Sequence, residues 1–305
     1  DAEGLWSALK GVFDHWIGEG ITIFRVDNPH TKSFPFWEWV IPEIRSEHPD
    51  VIMLAEAFTR PAVMHRLAKA GFNQSYTYFA WRSTKDELVQ YMSDLRTVDH
   101  FFRPAFWPNT PDILTEELQT GGRAAFISRY VLAATLSPVC GIYGPAYELM
   151  EHRPLREGSE EYLRSEKYEI RAWELDRADS LAPVITRVNQ ARNAHPALQR
   201  PRELVFHPTD NDMIVSYSRR AGEDVVLVVV SLDPHHTQSG WVTLDLGSLG
   251  VDRTGRFGVR DVLTDRRYQW DGRHNFIQLD PGGIPAHVFT IRGQTRTEEG
   301  FDYFV

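Results

Sequence analysis

Residues 20–32 read GITIFRVDNPHTK. Ile21, Ile23, Phe24 and Val26 are β-branched or aromatic, the composition of a short strand buried on both faces, so a strand is predicted over residues 21–26. Side chains alternate along a strand, which points Arg25 and Asp27 the same way. The Asn28-Pro29 step then stops the strand and opens a loop. An acid and an arginine on one face at a strand's C-terminal end are not ordinary core packing. In a parallel α/β barrel, that end carries the chemistry.

The flanking sequence repeats the pattern. Residues 4–17 predict a helix whose Leu5, Leu9, Val12, Phe13 and Trp16 share one apolar face. Residues 36–47 predict a helix made irregular by Pro42. Residues 51–55, VIMLA, predict a second buried strand that ends in Glu56. Further helices are predicted over 60–70, 84–95 and 122–136, and further strands over 72–79, 101–106 and 139–143. This alternation is the βα rhythm of a parallel sheet covered by helices. Residues 147–179 are polar and charged and read as a long excursion, followed by a helix over 180–194. After Pro201 the style changes to short strands at 213–217, 225–232, 241–246, 259–263, 275–279 and 286–291, separated by turns such as DPHHTQSG and DPGG. That pattern predicts an antiparallel β-sandwich. The expected domains are therefore residues 1–200 and 201–305.

Composition narrows the class of function. Of 305 residues, 42% are apolar and 25% charged, a globular balance. The formal net charge of −9 gives no general attraction for nucleic acid or an anionic membrane, so neither is expected as a partner. No apolar run approaches the roughly 20 residues that cross a bilayer as a helix. The single cysteine, Cys140, permits no internal disulfide, which fits a reducing cytoplasm, and its place in the fifth strand suits core packing. No Cys/His cluster, Walker loop or dinucleotide fingerprint is present, so no metal or other cofactor is expected.

The chemistry-bearing residues are Asp27 and Glu56, each directly after a buried strand and one βα unit apart. Adjacent barrel strands would bring both carboxylates to one rim, where such a pair serves as nucleophile and general acid/base in glycoside chemistry. Strand-terminal acids can also simply cap the next helix. Arg25 beside Asp27 favours the catalytic reading: its charge is expected to keep Asp27 ionised. Glu56 needs a proton near neutrality, so an apolar setting is expected for it. His30 and Lys32 suit either a ligand or an ordinary loop. Trp37, Trp39 and Trp107 suit either sugar stacking or packing.

Residues 20–27 with Arg25, Glu56 after an apolar strand, and Asp112 in the loop WPNTPD resemble the conserved regions of the α-amylase superfamily, glycoside hydrolase family 13. The resemblance implies that Asp27 is nucleophile, Glu56 acid/base and Asp112 the acid that stabilises the transition state. GIYGPAYEL resembles that family's last-strand motif but departs from it at Pro145 and Ala146. Asn109-Thr110-Pro111-Asp112 and Asn28-Pro29-His30-Thr31-Lys32 also depart from the hydrolytic amylases. Together with PFWEW, AEAFTRP, FWPNTPDIL and SEKYEIR, they resemble the branch that extends α-1,4-glucan from maltose 1-phosphate. That branch implies Arg25, Asn28, Lys167 and Tyr168 as substrate contacts, maltose 1-phosphate and α-1,4-glucan as partners, a homodimer and a cytoplasmic location. An α-glucan hydrolase, a trehalose-forming isomerase and an inactive carbohydrate-binding barrel subunit are the alternatives on this scaffold.

The resemblance also numbers the strands. The nucleophile follows strand four of a (β/α)8 TIM barrel, and the strand over 139–143 is the eighth. The expected fold is thus the C-terminal part of that barrel, strands 4 to 8, followed by the antiparallel β-sandwich. Five strands alone would leave open edges and an uncovered apolar layer. An upstream N-terminal segment carrying the first three strands is therefore expected to complete the barrel and part of the donor-phosphate site.

Overall fold

The computed structural model describes residues 1–200, 203–251 and 256–292, which form parts of two compact units. The first unit comprises residues 1–81 and 91–107, the second 82–90 and 108 onward.

The first unit holds α1 (Ala2–Gly18), β1 (Ile23–Asp27), α2 (Phe34–Glu47), β2 (Ile52–Glu56), α3 (Pro61–Ala70), β3 (Gln74–Tyr76), part of α4 (Lys85–Arg96), and β4 (Pro104–Phe106). The four strands lie in that order and are parallel. Val40, Ile41 and Ile44 of α2, Met53 and Ala55 of β2, and Met64 and Leu67 of α3 form the core beneath them. Gly71 ends α3 in the left-handed region at φ 119°, and a Cβ there would come within 2.8 Å of Ile41. This is a position for glycine on two counts.

Three predictions for this unit need correction. The first strand is not buried on both faces. It lies at the sheet edge, with Phe24 and Val26 half-buried and Ile23, Arg25 and Asp27 exposed. Helix α1 does not bury the stripe predicted for it. Trp6, Phe13 and Ile17 pack on the core, whereas Leu5, Leu9, Val12 and Trp16 stay exposed. The strands expected over 72–79 and 101–106 shrink to three residues each. The backbone N–H groups of Phe101 and Phe102 donate to Val98 O, closing a turn after α4, and Tyr78–Trp81 coils into a 3₁₀ turn.

The second unit contains α5 (Glu116–Thr120), α6 (Gly122–Leu136), β5 (Val139–Cys140), α7 (Gly144–Glu148), α8 (Ala182–Ala194) and α9 (Pro196–Gln199). The strand expected over 139–143 is cut to two residues, because Gly144 N turns back to Ile142 O. Eight strands follow: β6 (Leu204–His207), β7 (Ile214–Ala221), β8 (Asp224–Ser231), β9 (Gln238–Thr243), β10 (Arg256–Asp261), β11 (Arg267–Asp271), β12 (His274–Leu279) and β13 (Ala286–Arg292). Six make an antiparallel sheet in the order β11-β10-β13-β8-β7-β6, and β12 pairs with β9. Leu227, Val229, Phe257 and Phe289 of the larger sheet share one apolar core with Val242 and Ile277 of the smaller. Strands β6 and β11 were not foreseen. Each is short, and RYQWD buries only Trp270. No helix among the described residues is long and apolar enough to cross a membrane.

Candidate active site

In the first unit, register decides the geometry. Strand β1 pairs with β2 so that Arg25 faces Leu54 and Asp27 faces Glu56. Both acids thus end neighbouring strands at the same level, and the two backbones lie about 4.8 Å apart there. Asp27 is exposed, and its Oδ1 accepts a 2.9 Å hydrogen bond from Asn28 Nδ2. Asn28 itself adopts the left-handed conformation at φ 45°, an uncommon state that turns the chain sharply away from the strand.

Glu56 is buried, with 5% of its surface exposed. Its carboxyl forms an ion pair with Arg25 Nη2. Burial raises the Glu56 pKa, Arg25 opposes that rise, and hydrogen bonding and charge from Asp27 add to it; the result is upward. Glu56 is thus buried, but against a guanidinium and not in the wholly apolar setting expected for it. The arginine expected beside Asp27 forms an ion pair with Glu56 and also feels the charge of Asp27. For Arg25, burial lowers the pKa, but the Glu56 charge and hydrogen bond, and then the Asp27 charge, outweigh it and hold the guanidinium firmly protonated.

A third participant escaped sequence reasoning. Strand β3 continues the register from Ala55–Ser75 to the level of Glu56, where Tyr76 sits. Its buried phenol is pushed up to about 12 by burial, opposed by the charge of Arg25, which also hydrogen-bonds it, and reinforced by Glu56. Trp107 stacks on Tyr76 with centroids 4.7 Å apart, and Phe58 meets Tyr76 edge-on at 6.3 Å. The signal was in the sequence: Tyr76 is the strand-end residue of the third βα unit, where the first two units carry acids. Trp37 and Trp39 belong instead to the packing around α2. Trp37 is buried and donates to Pro29 O at 3.0 Å, and Trp39 stacks on Trp6.

In the second unit, Asp112 occupies a tight turn closed by reciprocal backbone bonds between Thr110 and Ile113, with Thr110 Oγ1 accepting from Asp112 N at 3.2 Å. Lys167 Nζ pairs with Asp112 and with Glu161 at 3.1 Å. The Asp112 hydrogen bond is the main reason the Lys167 pKa is raised. Tyr168 is 79% exposed, its ring 5.4 Å from Lys167 Nζ. The structure thus gathers Arg25, Asp27, Asn28, Glu56 and Tyr76 in one unit and Asp112, Lys167 and Tyr168 in the other.

Asn109 is fully buried and anchors this turn. Its Nδ2 donates to Tyr162 Oη and its Oδ1 accepts from Tyr143 N, both at 2.8 Å. The excursion over 147–179 is ordered by similar means. Glu166 accepts from Tyr143 Oη and, at 3.0 Å, from Trp173 Nε1, while Arg171 pairs with Glu151 at 2.9 Å. Among the described residues no cluster of metal-binding side chains exists.

Comparison with known proteins follows the same lines. A maltosyltransferase of Streptomyces coelicolor, named for α-1,4-glucan and maltose 1-phosphate, is 54% identical over 297 residues, covering 96% of this chain. Over most of its length the chain is similar to α-1,4-glucan:maltose-1-phosphate maltosyltransferases. A Chlorobaculum tepidum enzyme of the same name is 50% identical over 301 residues and 95% of this chain. The chain spans only 44% and 45% of those two relatives. A family described as GLGE, C-terminal matches residues 206–291. Among solved structures, the acarbose complex of a Geobacillus thermoleovorans α-amylase matches with a TM-score of 0.72 at 16% identity, over 96% of this chain and 65% of the amylase. That likeness shows an α-amylase fold.

Proposed function

We propose that this chain forms part of a retaining transferase that moves maltosyl units from maltose 1-phosphate to the non-reducing end of α-1,4-glucan. The observation that carries this reading is the in-register pair Asp27–Glu56, one carboxyl exposed and one buried, in a chain half identical to enzymes named for that reaction. Neighbouring-strand spacing supports a retaining mechanism, which uses carboxyls about 5–5.5 Å apart, over the wider inverting arrangement.

In the first step an Asp27 oxygen attacks the anomeric carbon, the bond from that carbon to the phosphate oxygen breaks, and inorganic phosphate leaves. Phosphate departs with little acid help, and it takes with it the proton that Glu56 holds, so Glu56 is left ionised. The product is a maltosyl ester of Asp27, which carries no charge. Asp27 then no longer raises the Glu56 pKa, while Arg25 still lowers it. Glu56 is thereby released to act as a base. It accepts the proton of the acceptor 4-hydroxyl as that oxygen attacks the anomeric carbon and Asp27 leaves. Asp112, steadied by Lys167, holds sugar hydroxyls more strongly as the ring flattens. Asn28, Lys167 and Tyr168 contact the donor sugar.

The architecture we assign is strands four to eight of a (β/α)8 barrel over residues 1–200 and a β-sandwich over 201–305, working as a cytoplasmic homodimer. An upstream segment lies against edge strand β1. Support for it comes from Ile21 and Ile23, and from the α1 stripe Leu5, Leu9, Val12 and Trp16, all apolar and exposed. The test of the reaction is inorganic phosphate release from maltose 1-phosphate with and without glucan. Release that requires glucan and lengthens it by two glucose units is expected. Release of free maltose at the same rate without glucan would mean a hydrolase.

A further inference from the structure

Strands β9 and β12 pair so that Trp241 lies directly opposite Phe276. Alternation sends Val242 and Ile277 into the core and leaves the other face of the ribbon to solvent. At its centre Trp241 is 50% exposed and Phe276 52%, with ring centroids 5.6 Å apart and planes at 65°. A polar pair flanks the rings on each side. Thr243 and His274 face one another at 3.2 Å on one side, and Ser239 and Gln278 are register partners on the other. None of these six residues is an acid, a lysine or an arginine.

This face therefore offers apolar ring surfaces in the middle and neutral hydrogen-bonding groups at both ends. A pyranose has the matching chemistry, an apolar C–H face bordered by uncharged hydroxyls. A phosphate or a nucleic acid would demand cations, which the face lacks. Its size also argues against a protein partner. Three outward residues on each of two strands span about 14 by 10 Å, far below the roughly 800 Å² per side of a stable protein interface. The 65° angle makes a corner instead of a flat shelf, which suits a coiled α-1,4-linked chain.

We propose that the Trp241–Phe276 face is a docking platform for α-1,4-glucan, in the compact unit that does not contain Asp27 and Glu56. It would keep a long acceptor near the enzyme between transfers, and this role rests on the reaction proposed above.

The experiment compares the intact protein with a Trp241→Ser/Phe276→Ala double variant and with Trp241→Tyr. Retardation in glycogen-containing native gels is read beside transfer kinetics to maltotetraose and to glycogen. The double variant should lose about tenfold in apparent glycogen affinity and rise similarly in KM for glycogen, with kcat and the KM for maltotetraose unchanged. Trp241→Tyr, which keeps a stacking ring, should retain most of the retardation. Unchanged retardation in the double variant would overturn the proposal. So would an equal loss of transfer to maltotetraose, or a smaller particle on size exclusion, which would make the face an interface between copies. If the protein transfers no maltosyl groups at all, the reaction reading fails, while the gel shift still decides whether this face binds glucan.

Discussion

Arg25, two residues before Asp27, places its guanidinium against the buried carboxyl of Glu56 on the neighbouring strand. One cation thus opposes the rise that burial imposes on the second acid, while the first stays open to solvent at the strand end. Burial and Asp27 push Glu56 up, and Arg25 holds it down. The division of labour proposed for the two carboxyls rests on which of those influences is removed at each step.

Replacing Glu56 by Ala should slow the glucan-dependent step by about 10²–10⁴-fold, the usual worth of a positioned acid/base, and the phosphate-releasing step much less. Rapid-quench measurement should show a burst of phosphate followed by slow turnover. A variant with no burst would indicate that Glu56 is needed to expel phosphate.

Tyr76→Phe removes the hydroxyl that meets Arg25 and keeps the ring that stacks on Trp107. A net loss of about 1 kcal/mol, or several-fold in kcat, is expected, with the pH profile of kcat shifted because Arg25 is less firmly held against Glu56. An unchanged profile would assign Tyr76 to packing alone.

Lys167→Met should lower kcat/KM for maltose 1-phosphate about tenfold, since Asp112 loses its charged hydrogen-bond partner. Both side chains are over a third exposed, so the melting temperature should hardly move. A large fall in melting temperature with donor kinetics intact would make the pair structural.

How much was legible in advance depended on which forces were local. Helix α6 was read to the residue, because thirteen successive buried positions follow a glycine pair and end before Ser137-Pro138. The levels of Asp27 and Glu56 were readable because each acid directly follows an apolar run. That Arg25 would also pair with Glu56 was not readable, because β1–β2 register is a property of the sheet. Tyr76 was hidden inside a strand predicted too long. The exposed stripe on α1 escaped because helical periodicity shows that residues share a face but not what covers that face. Strand β11 escaped although RYQWD alternates polar with aromatic residues, because the alternation lasts only five residues and buries only Trp270 fully.

The β-sheet unit has its own acid sensitivity. His207 is buried, its Nδ1 accepts from Asp245 N at 3.2 Å, and so its proton sits on Nε2, 2.9 Å from Ser218 Oγ. Burial lowers its pKa from an ordinary 6.5 to about 4. The unfolded chain therefore binds more protons between those values, and stability falls as pH drops through that window. At 1.36 kcal/mol per pH unit, the loss is roughly 3 kcal/mol. Chemical denaturation from pH 7 to 4 should show this loss in the parent and a smaller one in His207→Gln. Equal slopes would contradict the assignment.

The covalent role proposed for Asp27 can be trapped directly. The protein should be incubated with a 2-fluoro maltosyl donor bearing a good leaving group, digested, and mapped by mass spectrometry. A single fluoromaltosyl adduct on the peptide containing Asp27, absent after Asp27→Ala, is the predicted result. An adduct on Glu56 or Asp112, or glucan-dependent turnover that persists in Asp27→Ala, would contradict it.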